Sequence, residues 1–219
     1  MRHLTDHALP GKSADTLIIM LPGAYQQPED FVQEGFVSAV RERELPVDII
    51  MAELSFVHIV EASALADIHN SLVLPAQAAG YRQIWLAGIS IGGYVAIAYA
   101  DHYPDILTGL LLLAPYPGNR MTTGEINLAG SVQAWQPASP PAADSELRNW
   151  YWLKKHSGDI KVNLGYGAQD RFAGSHALMA TVLPEEQLDI VQGDHEWPVW
   201  LQLWQNFLDR QFVDLQALS

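Results

Sequence analysis

Gly88-Ile89-Ser90-Ile91-Gly92, extended by Gly93, is the arrangement in this sequence with the most direct chemical meaning. A serine with glycines two positions before and two after it can occupy a turn too tight for a Cβ at either flank, its hydroxyl thrust clear of the chain. So short a pattern gains weight only from context. QIWLA before it reads as a buried strand, and YVAIAYA after it reads as a helix packed on its small residues. At such a helix start, free N–H groups and the positive end of the helix dipole favour a developing anion.

An alcohol attacks at neutral pH only when a base removes its proton. Eight histidines are available. In open parallel sheets the reactive groups gather beyond the carboxyl ends of the strands, which selects His195, reached from EQLDIV through Gln192, Gly193 and Asp194. His58 also follows a strand, at a longer remove and upstream of the serine. His3, His7, His69, His102, His156 and His176 fall in the N-terminal tail or on predicted helices, where a solvated or core role is the better reading.

The imidazole in turn needs a carboxylate to orient it, beyond another strand and between Ser90 and His195 if the order is serine, acid, histidine. Asp170, just past IKVNLGY, meets this; its competing, purely structural role is to cap the helix near Gly174. Asp159 and Asp189 lie at strand starts, and Asp194 would have to fold back to reach the ring next to it. Two amides must receive the oxyanion. The Ile91 N–H is one; the other comes from Pro22-Gly23-Ala24-Tyr25 after the first parallel strand, with Ala24 preferred and Tyr25 as fallback.

The elements that must hold these groups alternate in type. Apolar runs at 16–21, 47–52, 83–87, 109–114, 160–166 and 186–191 read as strands buried on both faces. Helical spacing fills 28–44, 62–79 (interrupted by Pro75), 91–103, 174–183 and 197–215. Strand and helix in alternation imply one α/β domain over 1–219, a mostly parallel sheet of at least six strands with helices on both faces. Residues 116–157 break the rhythm: a stretch rich in Pro, Gly, Ser, Thr and Asn, then a helix near 145–156, expected as a short lid-like insertion. Trp135, Trp150 and Trp152 in that insertion, Trp197 beside His195, and Tyr25 could line a substrate pocket; the tryptophans could equally be core.

Composition narrows the partners. With 49% hydrophobic and 17% charged residues, the 219-residue chain has the make-up of a globular domain. A formal charge of −13 disfavours nucleic acid, and otherwise serves solubility. No cysteine means no thiolate nucleophile, disulfide or thiolate zinc site. The first residues lack a signal-like apolar stretch and the apolar runs are too short to span a bilayer, so a cytoplasmic enzyme with no membrane partner is expected. His3 and His7 at i, i+4 lack further ligands at zinc spacing, and no phosphate-binding glycine loop is present, so neither metal nor cofactor is expected.

LPGAY, LAGISIGG, YPDILTGLLLLAP, YGAQDRF and GDHEWP, in that order from about residue 16 to 208, resemble an α/β-hydrolase of the small esterase or thioesterase kind. The resemblance implies Ser90, Asp170 and His195 as a triad, Ala24 and Ile91 as oxyanion donors, and a carboxylic ester or thioester as substrate. Two departures stand out. About 15 residues precede the first parallel strand, too few for the N-terminal antiparallel hairpin of larger members, and Pro22 stands where many members carry a histidine. The alternatives are a ligand-binding protein without catalysis on the same fold, or a triad enzyme of other chemistry: C–C hydrolase, perhydrolase or acyltransferase. Oligomeric state is left open, a homo-oligomer included.

Overall fold

A computed structural model describes residues 1–10, 14–55 and 63–212. Its sheet has seven strands in the order β1-β3-β2-β4-β5-β6-β7. These are β1 (His3–Asp6), β2 (Thr16–Leu21), β3 (Val47–Ala52), β4 (Gln83–Ile89), β5 (Gly109–Leu113), β6 (Lys161–Gly167) and β7 (Leu188–Val191). From β3 to β7 every pairing is parallel. The expected six strands are all present, and β1 is added at the edge, antiparallel to β3. His3 therefore sits on a strand and not in a free tail, and the room before β2 holds one antiparallel strand. Its residues alternate between exposed and half-buried, as an edge strand with one solvated face should.

The helices are α1 (Pro28–Gln33), α2 (Phe36–Glu42), α3 (Ala64–Ile68), α4 (Leu74–Ala79), α5 (Ile91–His102), α6 (Arg120–Leu128), α7 (Leu147–His156), α8 (Ala173–Ala180) and α9 (Trp197–Gln211). They cover both faces of the sheet, leaving β2 and β5 buried at every residue. α5 packs on β4 with α3 and α7 beside it, while α9 packs on β6 and β7 with α2 alongside. Pro75 does not interrupt the helix. A π-helical turn, His69–Val73, joins α3 to α4, with the Leu74 amide bonded to the His69 carbonyl five residues back. The wider turn accommodates a ring that would clash within a regular helix.

Register matters most for the site. Leu21 pairs with Gly88, Ile89 with Leu113, Leu113 with Gly165, and Gly167 with Val191. The carboxyl ends of β2, β4, β5, β6 and β7 thus end side by side, and the loops after them share one edge. Among the described residues no helix is long and apolar enough to cross a membrane.

Candidate active site

Ser90 links β4 to α5 with φ 51° and ψ −112°, a conformation that costs an L-residue on the order of 1–3 kcal/mol. The glycines around it are there for space. A Cβ on Gly88 would lie 2.3 Å from the Gly92 carbonyl carbon, and one on Gly92 would lie 2.2 Å from the Leu21 carbonyl oxygen. The turn is held from outside: Ser90 N donates to Leu113 O at 2.9 Å, and Ser90 O accepts the Tyr94 amide at 3.1 Å and the Tyr116 amide at 2.9 Å. The side-chain hydroxyl donates no hydrogen bond to a described residue.

Asp170 and His195 come together beyond β6 and β7. His195 Nδ1 lies 2.7 Å from Asp170 Oδ2, with the carboxylate side chain fully buried and the imidazole 10% exposed. Two neighbouring loops are bound to each other to achieve this. The Ala168 amide donates to Val191 O at 2.8 Å and the Gln169 amide to Gly193 O at 3.0 Å, while Gln169 Oε1 accepts the Gly193 amide. Gly193, at φ 124°, turns the chain towards Asp170. Asp194 folds onto its own neighbour's amide, its Oδ1 accepting His195 N at 2.7 Å, and takes no part in orienting the ring.

Asp170 Oδ1 also accepts the Phe172 amide at 2.8 Å, a local turn just ahead of α8; the N-cap of that helix is Phe172 and no side chain caps it, so the capping role considered for Asp170 is not the one it takes. Burial pushes the carboxyl pKa up, but His195 and the Phe172 amide together outweigh it and hold Asp170 below its ordinary value. The acid is therefore ionised at neutral pH, the form that stabilises a His195 imidazolium. The rings of Phe172 and Trp200 meet the imidazole edge to face, with centroids 5.5 and 5.0 Å away. Nε2 is left without a hydrogen bond to a described residue.

The expected oxyanion loop adjoins Ser90. Ala24, Tyr25, Ser90 and Ile91 all line one cavity of about 450 Å³, completed by Leu54, Tyr116, Phe172 and polar neighbours. The Ala24 and Tyr25 amides make no hydrogen bond to a described residue, and Ile91 N opens α5, where amides have no partner within the helix. Tyr25 is in a left-handed conformation, φ 64°, and is 95% exposed. Gln26 braces the turn that follows Pro22. Its Oε1 accepts the Gly23 amide at 2.6 Å and closes the loop. Sequence reasoning missed that contact, since nothing but proximity in the chain announces it.

Two expected pocket residues lie elsewhere. Trp135 is buried in the insertion, its Nε1 donating to Glu125 Oε1 at 2.7 Å, because a large ring beside α6 gains more from packing there than from facing solvent. Trp197 packs edge to face on Phe31, Phe36 and Trp200, joining α9 to α1 and α2. Trp150 and Trp152 are likewise core. Tyr116 is the insertion residue that reaches the cavity wall. His58 lies outside the described residues.

His176 takes the core role of the two that its place on a helix left open. It is fully buried on α8, its Nε2 donating to the Pro115 carbonyl at 2.9 Å. Nδ1 has no partner. Burial lowers its pKa against the pull of the Pro115 carbonyl and the Asp170 charge, so the ring is neutral.

No protein-family profile matches the sequence, and no curated protein is similar to it by sequence. Solved structures are similar in fold. Est1E from Butyrivibrio proteoclasticus superposes with a TM-score of 0.61 at 17% identity, over 98% of this chain and 94% of its own. The S-formylglutathione hydrolase of Staphylococcus aureus gives 0.60 at 16%, over 94% and 82%. The monoacylglycerol lipase of Paleococcus ferrophilus gives 0.60 at 14%, over 100% and 99%. With the strand order above, these likenesses place the chain in the α/β-hydrolase fold.

Proposed function

On that fold, we propose that the chain hydrolyses a carboxylic ester or thioester through an acyl-enzyme. Ser90 Oγ attacks the carbonyl carbon as its proton passes to His195 Nε2, and Asp170 stabilises the imidazolium through Nδ1. The Ile91 and Ala24 amides receive the oxyanion, a contribution of about 10²–10³ in rate per donor. Collapse breaks the bond to the leaving alcohol or thiol, which takes the proton from His195. Water then repeats the sequence on the acyl-Ser90 ester and releases the acid.

What supports this most is one arrangement: the buried Asp170–His195 pair at 2.7 Å, in register beside a strained Ser90 turn. Among the described residues neither the Ser90 hydroxyl nor His195 Nε2 has a hydrogen-bond partner, so each is free to take up the nucleophile–base contact, which commonly tightens only when substrate is bound.

The test is hydrolysis of p-nitrophenyl esters over an acyl-length series by wild type and Ser90→Ala. Turnover is expected in the wild type and a drop of about 10⁴-fold or more in the variant. An organophosphonate should label the former and not the latter, with Tm little changed. No turnover at any length together with no labelling of Ser90 would favour a binding protein on this fold.

A further inference from the structure

We propose that Arg171 reads a negative charge on the substrate, so that the preferred esters carry an anionic group, carboxylate or phosphate, on the portion held in the Ser90 cavity. This rests on the hydrolytic reading above and adds a substrate class to it.

Arg171 is the one charged residue among the described residues that line the cavity; its companions are apolar, or neutral like Gln26, Gln27 and Tyr116. Its charge is also unused. The chain has 25 acidic residues against 12 basic ones, and its arginines are mostly taken up. Arg2, Arg41, Arg43, Arg82, Arg148 and Arg210 each face a carboxylate. Arg171 forms no ion pair with a described residue. Arg120 is equally unpaired but stands on α6, away from the cavity wall.

The neighbouring carboxylates cannot serve Arg171. Asp170 precedes it, but that side chain is fully buried and committed to His195 and the Phe172 amide. Glu146 accepts from the Tyr116 hydroxyl, the Asn119 amide and Thr122 Oγ1. The side chain is exposed, and its guanidinium lies over the Phe172 ring, 4.8 Å from the centroid, while that ring meets the His195 imidazole edge to face. A solvent-accessible cation thus stands one ring away from the general base. In so acidic a molecule an unpaired guanidinium on the wall of the Ser90 cavity fits an anionic ligand group, since planar guanidinium matches carboxylate and phosphate oxygens in pairs.

The test compares charged and neutral partners of matched shape. One pair is p-nitrophenyl glutarate monoester and its methyl-capped diester. A second set is phenyl acetate bare or bearing a meta-carboxylate or meta-phosphate, which separates the two anions and the two sides of the ester. Each kcat/KM is divided by the rate of hydroxide hydrolysis. At least one charged ester is expected to exceed its neutral partner about tenfold, mainly in KM, as one charge-assisted hydrogen-bonded contact allows. That ratio should fall to near unity in Arg171→Gln and be partly kept in Arg171→Lys. Neutral preference in every set, or a ratio unmoved by Arg171→Gln, overturns the proposal while leaving ester hydrolysis standing. Calorimetric titration of Ser90→Ala with the same esters measures the discrimination without turnover. If neither protein distinguishes charged from neutral ester, Arg171 has no such role; if Ser90→Ala does and the wild type hydrolyses none, the hydrolytic reading alone fails.

Discussion

His176 shows how a buried ring ties the site to pH. Its Nε2–H is fixed by the Pro115 carbonyl, its Nδ1 has no donor among the described residues, and the rings of Tyr166 and Phe172 enclose it, with Asp170 and His195 the titratable groups that act on it. A histidine whose folded pKa lies below its ordinary 6.5 binds fewer protons than in the unfolded chain. Stability therefore rises with pH up to about 6.5 and is lost as pH falls below that value, by at most about 1.4 kcal/mol per pH unit. His176→Phe removes this dependence but strands the Pro115 carbonyl, at a cost of about 1–3 kcal/mol. Urea unfolding is expected to show the variant weaker by that amount at pH 8, with the gap closing towards pH 5. A gap that stays constant or widens in acid would mean the ring is not held neutral.

At the scale of elements, the turn from β4 into α5 is set by what its glycines touch. Gly92→Ala puts a Cβ against the Leu21 and Pro22 carbonyls, backbone atoms at the end of β2 that lead into the proposed oxyanion loop. The expected cost is about 1–3 kcal/mol of stability, with esterase activity falling as that loop shifts. Gly124, inside α6, has nothing within 4 Å of its Cβ position, and Gly124→Ala should raise stability by about 0.5–1 kcal/mol. Thermal unfolding of the two variants reads opposite signs, and equal signs would refute the steric account. The same elements explain what could be read beforehand. Ser90, Asp170 and His195 were legible because each stands just past an apolar strand, and parallel pairing carries such positions to one edge. β1 was not, since HLTD is too short and polar to differ from a tail. The directions of Trp135 and Trp197 were not either. Both were open between pocket and core, and the choice fell to partners distant in sequence such as Phe31 and Phe36, or on the far side of a turn, as Glu125 is for Trp135. The choice between core and solvent for His176 is hidden in the sequence for the same reason, since its partner Pro115 is 61 residues away.

The whole molecule sets the strongest long-range field, since a formal charge of −13 on 219 residues repels itself when compact. Opposing this are local ion pairs, Arg2 with Glu29 and Glu53, Arg43 with Asp209, Arg82 with Asp15, largely at the surface, where solvent leaves each of them weak. Salt weakens both. The pairs are in contact, well inside a Debye length of about 10 Å at 0.1 M, whereas the excess carboxylates act across longer distances and are screened first. Adding salt should therefore relieve more repulsion than it removes attraction. Raising NaCl from 10 to 300 mM at pH 7.5 is expected to increase Tm by a few degrees, roughly the 4 °C or less that 1 kcal/mol represents in a chain of this size. KCl should act alike, because screening depends on ionic strength and not on the cation. A falling Tm would mean that the surface pairs outweigh the excess negative charge, and a rise with one cation alone would point to specific binding.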